Sequence, residues 1–258
     1  MSQPQLANSI NGIIRCGKYA FMPNYYAYCG PDKNKKLFEY ISAEHQDPNL
    51  NKILTEFEVM YPYLKLIAKT NKIQDVFDNR IVEAYWVGSK LTENINIKNL
   101  YRHFTEDKNL KTKIKKSTIE KILGFNPHNS KPHHNFHVMN IWLRAGKKNI
   151  KHTLDSINEC RIAWGSVKKI KKSSIIVQYQ PLIIEDDNLK LGEEIEREVI
   201  TQFDDKGFLK DIKIGDKVTI HWGWVCEKIN NEQLINLRKY TQESINIFNN
   251  QILEFLYA

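Results

Sequence analysis

Two short runs in the C-terminal half carry the residue types best suited to hold a transition metal. One is Cys160-Arg161-Ile162-Ala163-Trp164-Gly165-Ser166-Val167. The other is Ile214-Gly215-Asp216-Lys217-Val218-Thr219-Ile220-His221-Trp222-Gly223-Trp224-Val225. A thiolate from Cys160 and an imidazole from His221, on two strands of one small β-barrel, can share a soft or borderline cation. The thiol must lose its proton to ligate, and Arg161 with the nearby lysines would favour that. Each residue also has an ordinary role. A cysteine packs as a small hydrophobe, and a strand-end histidine is satisfied within a core. Trp222 and Trp224 read as packing residues.

A second set lies earlier. Pro132-His133-His134-Asn135-Phe136-His137 is the densest histidine cluster. On a helix, His133 and His137 share a face at i and i+4, and His134 and His137 are close at i and i+3. Both spacings can chelate a metal. No glutamate stands beside the first histidine, as it does in the zinc-protease pattern. Phe77 to Trp86 sets Asp78, Arg80 and Glu83 within an apolar stripe. A carboxylate drawn inward there could ligate a metal or act as a general base. The plainer reading pairs Arg80 with Glu83 or with Asp78. Glu83 and His137 are thus the catalytic candidates. Cys16 and Cys29 each precede a glycine, but their separation matches no tight zinc spacing. They are one half of a site or packed thiols.

The elements that must position these residues follow from apolar spacing. Residues 1–150 read as a mainly helical domain. Ile10, Ile13 and Ile14 open one amphipathic stretch, and Leu37, Phe38 and Ile41 mark another. Asp47-Pro48 is a helix start, followed by Leu50, Ile53, Leu54, Phe57 and Met60, with a kink or restart at Pro62. Phe77, Ile81, Val82, Tyr85 and Trp86 form a stripe ended near Gly88. Ile119, Ile122 and Leu123 form a helix stopped by Gly124. Gly146-Lys147-Lys148-Asn149 reads as a linker. Residues 151–258 begin with a short helix over 152–158, then strands over 167–170 and 175–179, with Ile183 and Ile184 as a further strand. Asp204-Asp205-Lys206-Gly207 is a turn, and 218–222 and 224–226 are strands. A final helix capped by Asn230 or Asn231 carries Leu234, Leu237, Ile245, Phe248, Ile252 and Phe255. The fold class expected is α+β, a mainly helical N-terminal domain followed by a small OB-like β-barrel with a long C-terminal helix.

The bulk composition narrows the classes. A hydrophobic fraction of 41% with 26% charged residues is ordinary for a globular protein. Four scattered cysteines are too few for a disulfide scaffold and read as reduced thiols. No basic start leads into an apolar run, and no stretch has spanning length. A cytoplasmic protein without a membrane partner is expected. The net charge of +8 invites a nucleic-acid partner. The lysines are spread among asparagines and isoleucines, however. The densest run, residues 108–121, has no aromatic stacking pattern, so it reads as a solvated face.

The C-terminal segment resembles the HypC/HupF family of hydrogenase maturation chaperones. Cys160, Trp164-Gly165 and Val167 match the family's cysteine, its following pair and its apolar strand. Gly215-Asp216, Val218, His221, Gly223 and Trp224 match the later block, and Lys228-Ile229-Asn230 opens the helix. The resemblance implies an iron carrying cyanide and carbon monoxide ligands, held by Cys160 with help from His221. It implies hydrogenase maturation proteins or the hydrogenase large subunit as partners. Two features depart from the pattern: Cys160 is internal, and a polar insertion runs from about Pro181 to Asp205. The N-terminal part resembles an uncharacterised bacterial and archaeal family through its CGKYAF, YCGPD, EAYW and PHHNFH segments. The expected function is an accessory role in metallocofactor assembly, with an iron unit on the Cys160/His221 pair. The alternative is a metal-dependent enzyme built around His133, His134, His137 and Glu83, and a third reading is a structural adaptor.

Overall fold

The structure is a computed structural model. It describes residues 11–107, 110–111, 114–125, 128–142 and 153–257, and the side chains of all these except 125 and 251–257. The expected 146–149 linker lies outside the described residues. So does part of the basic run over 108–121.

The helical part runs α1 (Gly12–Tyr25), α2 (Asn34–Ser42), α3 (Pro48–Thr55), α4 (Met60–Thr70), α5 (Asn79–Trp86), α6 (Lys90–Glu93), α7 (Ile97–Glu106), α8 (Lys116–Phe125) and α9 (His134–Phe136). A π-helical turn over His137–Trp142 continues α9. Local chemistry sets the starts. Asn11, Asp47, Asp78 and Asn96 each accept a bond from a first-turn N–H, which satisfies donors that have no partner within the helix. Pro48 takes the first position of α3, where no N–H is needed. Phe57 and Met60 do not extend α3. The chain breaks after Thr55, and α4 restarts at Met60 with Pro62 in its first turn.

The second part begins with α10 (Leu154–Cys160). It continues through β1 (Ala163–Ile170), β2 (Ser174–Tyr179), β3 (Leu182–Glu185), β4 (Asn188–Leu191), β5 (Ile195–Ile200), β6 (Gln202–Phe203), β7 (Lys206–Gly207), β8 (Lys217–His221) and β9 (Trp224–Lys228), and ends in α11 (Asn231–Tyr257). Asn230 accepts from Gln233 N at 2.9 Å and caps α11, as expected. Among the described residues no helix is long and apolar enough to cross a membrane.

Two expectations are corrected here. The strands follow one another as β1-β2-β5-β9-β8, with β8 returning to β1. Four of these joins are antiparallel ladders, whereas β5 and β9 meet at a single parallel pair, Ile200 with Trp224. Ile200 N–H donates to the Gly223 carbonyl at 2.9 Å, and the chain then turns away, so that Thr201 bonds Ser173. The expected OB-like barrel is therefore corrected to a strongly curled ring of five strands in which the β5–β9 seam is one bridging pair rather than a ladder. The second correction concerns the polar insertion from Pro181 to Asp205, which supplies the β3–β4 hairpin and the whole of β5. Within Ile195-Glu196-Arg197-Glu198-Val199-Ile200 only Val199 is buried. The apolar alternation that marks a strand is nearly absent there.

The two parts share one hydrophobic cluster. It runs from Ile14, Tyr19 and Phe21 of α1 through Tyr85 and Trp86 of α5 to Trp224 and Cys226 of β9 and Leu237 of α11. A polar network crosses the same seam. Arg15 is 2% exposed, and its Nη2 lies 2.7 Å from Glu227 Oε1. Its Nη1 donates to Glu83 Oε2 at 2.8 Å and to Asn79 Oδ1 at 3.0 Å. The Tyr19 hydroxyl donates to Glu227 Oε1 at 2.6 Å and lies 2.9 Å from Thr219 Oγ1. Burial alone would lower the Arg15 pKa, but Glu227, Tyr19 and Glu83 outweigh it and the net shift is upward. The guanidinium is charged, and its partners make that tolerable in a dry seam. Arg15→Met leaves Glu227 buried without its cation, and we expect a loss of about 3–5 kcal/mol. Urea unfolding measures it, and an unchanged midpoint would refute this account of the seam.

Candidate metal centre

His221 ends β8, and its ring points into the seam. It is 1% exposed, and its Nδ1 lies 2.8 Å from the Tyr19 carbonyl oxygen. A carbonyl only accepts, so Nδ1 carries the proton and Nε2 the lone pair. The Tyr19 carbonyl is available because the residue four positions on is Pro23, which has no N–H to return to it. His221 Nε2 is buried and has no hydrogen-bond partner. An orphaned buried lone pair is costly in a core and is what a metal ligand presents before binding, with its second nitrogen held by a carbonyl.

The turn after His221 is equally specific. His221 pairs with Trp224, leaving Trp222 and Gly223 as a two-residue loop with φ of 53° and 69°. Such loops need positive φ at both positions, which glycine adopts freely and tryptophan seldom. Trp222 is held there by its N–H, which donates to the Glu159 carbonyl at 2.8 Å, and by the Tyr28 ring at 4.2 Å. That bond brings the end of α10, and so Cys160, beside His221.

The histidine-rich segment completes the arrangement. Asn135 is fully buried. Its Oδ1 accepts from Ile162 N at 2.7 Å, and its Nδ2 donates to Ile162 O at 3.0 Å and Thr241 Oγ1 at 2.9 Å. This clamp fixes the chain two residues after Cys160. His134 Nε2 lies 2.8 Å from the Cys160 carbonyl oxygen, and Nδ1 lies 3.2 Å from the Tyr85 hydroxyl. The result is a group of three, His134, Cys160 and His221, whose ligand atoms all lie within 4.8 Å of one another. It could hold a metal ion. One thiol and two imidazoles suit zinc, iron(II) or a similar borderline cation.

Electrostatics agree with a neutral site before binding. Burial holds the His221 pKa down to about 4, and the His134 ring lies well below its ordinary range through burial and the neighbouring His221. Burial pushes the Cys160 thiol up, opposed by the nearby Trp222 indole. The expectation that Arg161 acidifies Cys160 is corrected. Arg161 is itself buried and turns to Asn158 Oδ1 at 3.2 Å and to the Gln180 carbonyl, over the Trp164 ring. A metal must therefore displace the thiol proton itself.

One family profile, described as a family of unknown function (DUF6390), matches residues 8–254. The chain belongs to that family. The match spans the helical part and the curled sheet together, and with them His134, Cys160 and His221. No curated protein and no solved structure matches the chain.

The remaining expected site residues of this DUF6390 chain are placed elsewhere. His133 precedes α9 with extended backbone, so it does not share a helical face with His137. Its Nδ1 accepts from Asn135 N at 3.1 Å, and its ring stacks on Tyr240 at 5.1 Å. His137 Nδ1 lies 3.1 Å from the Tyr63 hydroxyl. Glu83 pairs with Arg15 and accepts from Gln233 Nε2 at 2.8 Å, while Arg80 pairs with Asp78 at 2.7 Å. Asn135, Tyr19 and Pro23 were not legible as site residues, because each acts through a main-chain contact that only the fold creates.

Two predictions follow from the buried groups. Asn135→Ala leaves the Ile162 N–H and C=O without partners, and a loss of roughly 3 kcal/mol is expected in chemical unfolding; a change below about 0.5 kcal/mol would contradict the clamp. His103, His133 and His221 are held by burial at about 4, 3 and 4, and His134 also lies well below its ordinary range. Their folded values lie below the unfolded value near 6.5. The unfolded chain therefore takes protons first, and stability that is complete above pH 6.5 falls as pH drops toward 4. Metal-free protein should show a lower urea midpoint at pH 5.5 than at 7.5, and equal midpoints would refute this.

Proposed function

We propose that this protein is an accessory factor of metallocofactor assembly that holds an iron unit at His134, Cys160 and His221. The observation that carries this is the buried His221 Nε2. It is a lone pair with no protein partner, with its ring locked by the Tyr19 carbonyl and a cysteine and a second histidine beside it. A thiolate and neutral imidazoles suit low-spin iron, and the resemblance of the Cys160 and His221 runs to hydrogenase maturation chaperones supports iron as the cargo. Nickel-iron hydrogenase maturation proteins or the large subunit are the partners of this reading.

His134 is the point at which it departs from a simple Cys/His pair. Both of its ring nitrogens have protein partners. Ligation through Nδ1 would release the Tyr85 hydroxyl, and ligation through Nε2 would release the Cys160 carbonyl. Binding therefore rearranges bonds next to the thiol, which suits a site that must also let its cargo go.

Anaerobic purification followed by metal analysis and infrared spectroscopy tests the proposal. We expect bound iron, bands from diatomic ligands and a co-purifying hydrogenase maturation partner, with iron and bands lost in Cys160→Ala and His221→Ala. Iron loading left intact in Cys160→Ala would overturn it.

A further inference from the structure

The three-residue group leaves two matters open. A tetrahedral cation takes four ligands. A divalent ion with one thiolate and two neutral imidazoles also keeps a net positive charge, which is expensive to bury. No carboxylate belongs to the group, and Glu159, next to Cys160 in sequence, is engaged with Arg197 at 2.6 Å.

A second cysteine, Cys29, stands outside this group on a loop whose Tyr28 packs beside it. After α1 the backbone folds back on itself, with the Tyr28 and Cys29 N–H groups both reaching the Pro23 carbonyl at 2.9 and 3.2 Å. Asn24, 3% exposed, donates to the Cys29 carbonyl at 2.8 Å and the Pro31 carbonyl at 2.6 Å. Gly30 follows with φ of 83°, pressed so close to the Phe57 ring that a Cβ would sit 2.4 Å from it. This loop has a fixed shape, and it is laid against the centre. The Tyr28 ring packs on Trp222, the residue after His221, and the Trp222 N–H bonds the residue before Cys160. Cys29 and Cys160 are both half-buried and pack on the same hydrophobic cluster, unlike the buried Cys16 and Cys226. The thiols also sense one another. Burial lifts the Cys160 pKa most and Cys29 next; the Tyr85 hydroxyl, which contacts His134, is lifted first by burial and Tyr63 and then by Cys29 and Cys160.

Resting on the three-residue centre above, we propose that Cys29 closes in as the fourth ligand when the ion bound there is a bare divalent cation, without the diatomic ligands of the iron unit. The centre then presents two thiolates and two imidazoles to a divalent cation of the zinc and iron(II) class. Two thiolates cancel the charge of such an ion, so the loaded site is neutral and can remain in a dry seam. The two half-buried cysteines lie on the side from which an ion enters and leaves, and the histidines form the buried floor.

Cobalt(II) is the probe, because its near-ultraviolet charge-transfer intensity scales with the number of thiolates bound. Anaerobic titration of the full chain should give a two-thiolate intensity. Cys29→Ser should reduce it to about half, and the Cys29→Ser/Cys160→Ser pair should remove it. Cys29→His keeps four ligands, so it should hold cobalt with about half the intensity even if Cys29→Ser folds poorly. Full intensity in either single variant overturns Cys29 as a ligand and leaves the three-residue centre standing. No cobalt band in the wild-type chain overturns both.

Discussion

Helix α1 grips the curled sheet twice through one residue, and the rest of the centre depends on that grip. The Tyr19 hydroxyl donates to Glu227 on β9 and contacts Thr219 on β8, while its carbonyl takes the Nδ1–H of His221 at the end of β8. The first contact belongs to a buried ionic network with Arg15. The second exists because Pro23 withholds the amide that would otherwise compete for that oxygen. A helix-breaking residue near the end of α1 thus has a local structural cost and a distant consequence. It releases an acceptor that sets the tautomer of a buried imidazole. The same proline's own carbonyl receives Tyr28 and Cys29 and so shapes the next loop.

Much of the scaffold could be read in advance where a local rule decides the outcome. Asp47-Pro48 specified the start of α3 and Asn230 the cap of α11, because a side chain or a missing N–H acts within one helical turn. Cys160 and His221 were legible as a pair from the runs around them. The β5 strand was not, since its outward face carries Glu196 and Glu198 and only Val199 is buried. The β8–β9 turn was equally opaque, because Trp-Gly lacks the usual asparagine or aspartate of a two-residue loop.

The histidine-rich segment is the more instructive case. In sequence it competes with the Cys160/His221 pair as a separate centre, because spacing can relate only residues on one element. In space, Asn135 bonds both main-chain groups of Ile162, and His134 bonds the carbonyl of Cys160. One of the histidines therefore joins the cysteine, and the other two serve packing and helix entry. His133 cannot lie on a helical face with His137 because it is the extended cap residue that precedes α9. Chelation by helical spacing requires that the helix already be under way.

The centre and the fold also hold each other in place at Trp222. A tryptophan at φ of 53° is strained, and strain of this kind persists only where the surroundings over-determine the conformation. Here the Glu159 carbonyl takes its N–H, and Tyr28 covers its ring. Those same two contacts bring the Cys160 turn and the Tyr28 loop against the turn that follows His221. Relaxing the turn would separate Cys160 from His221, and separating them would leave the turn unsupported. Metal binding, by tying Cys160 to His221 directly, would stabilise the strained hairpin together with the three segments that meet there.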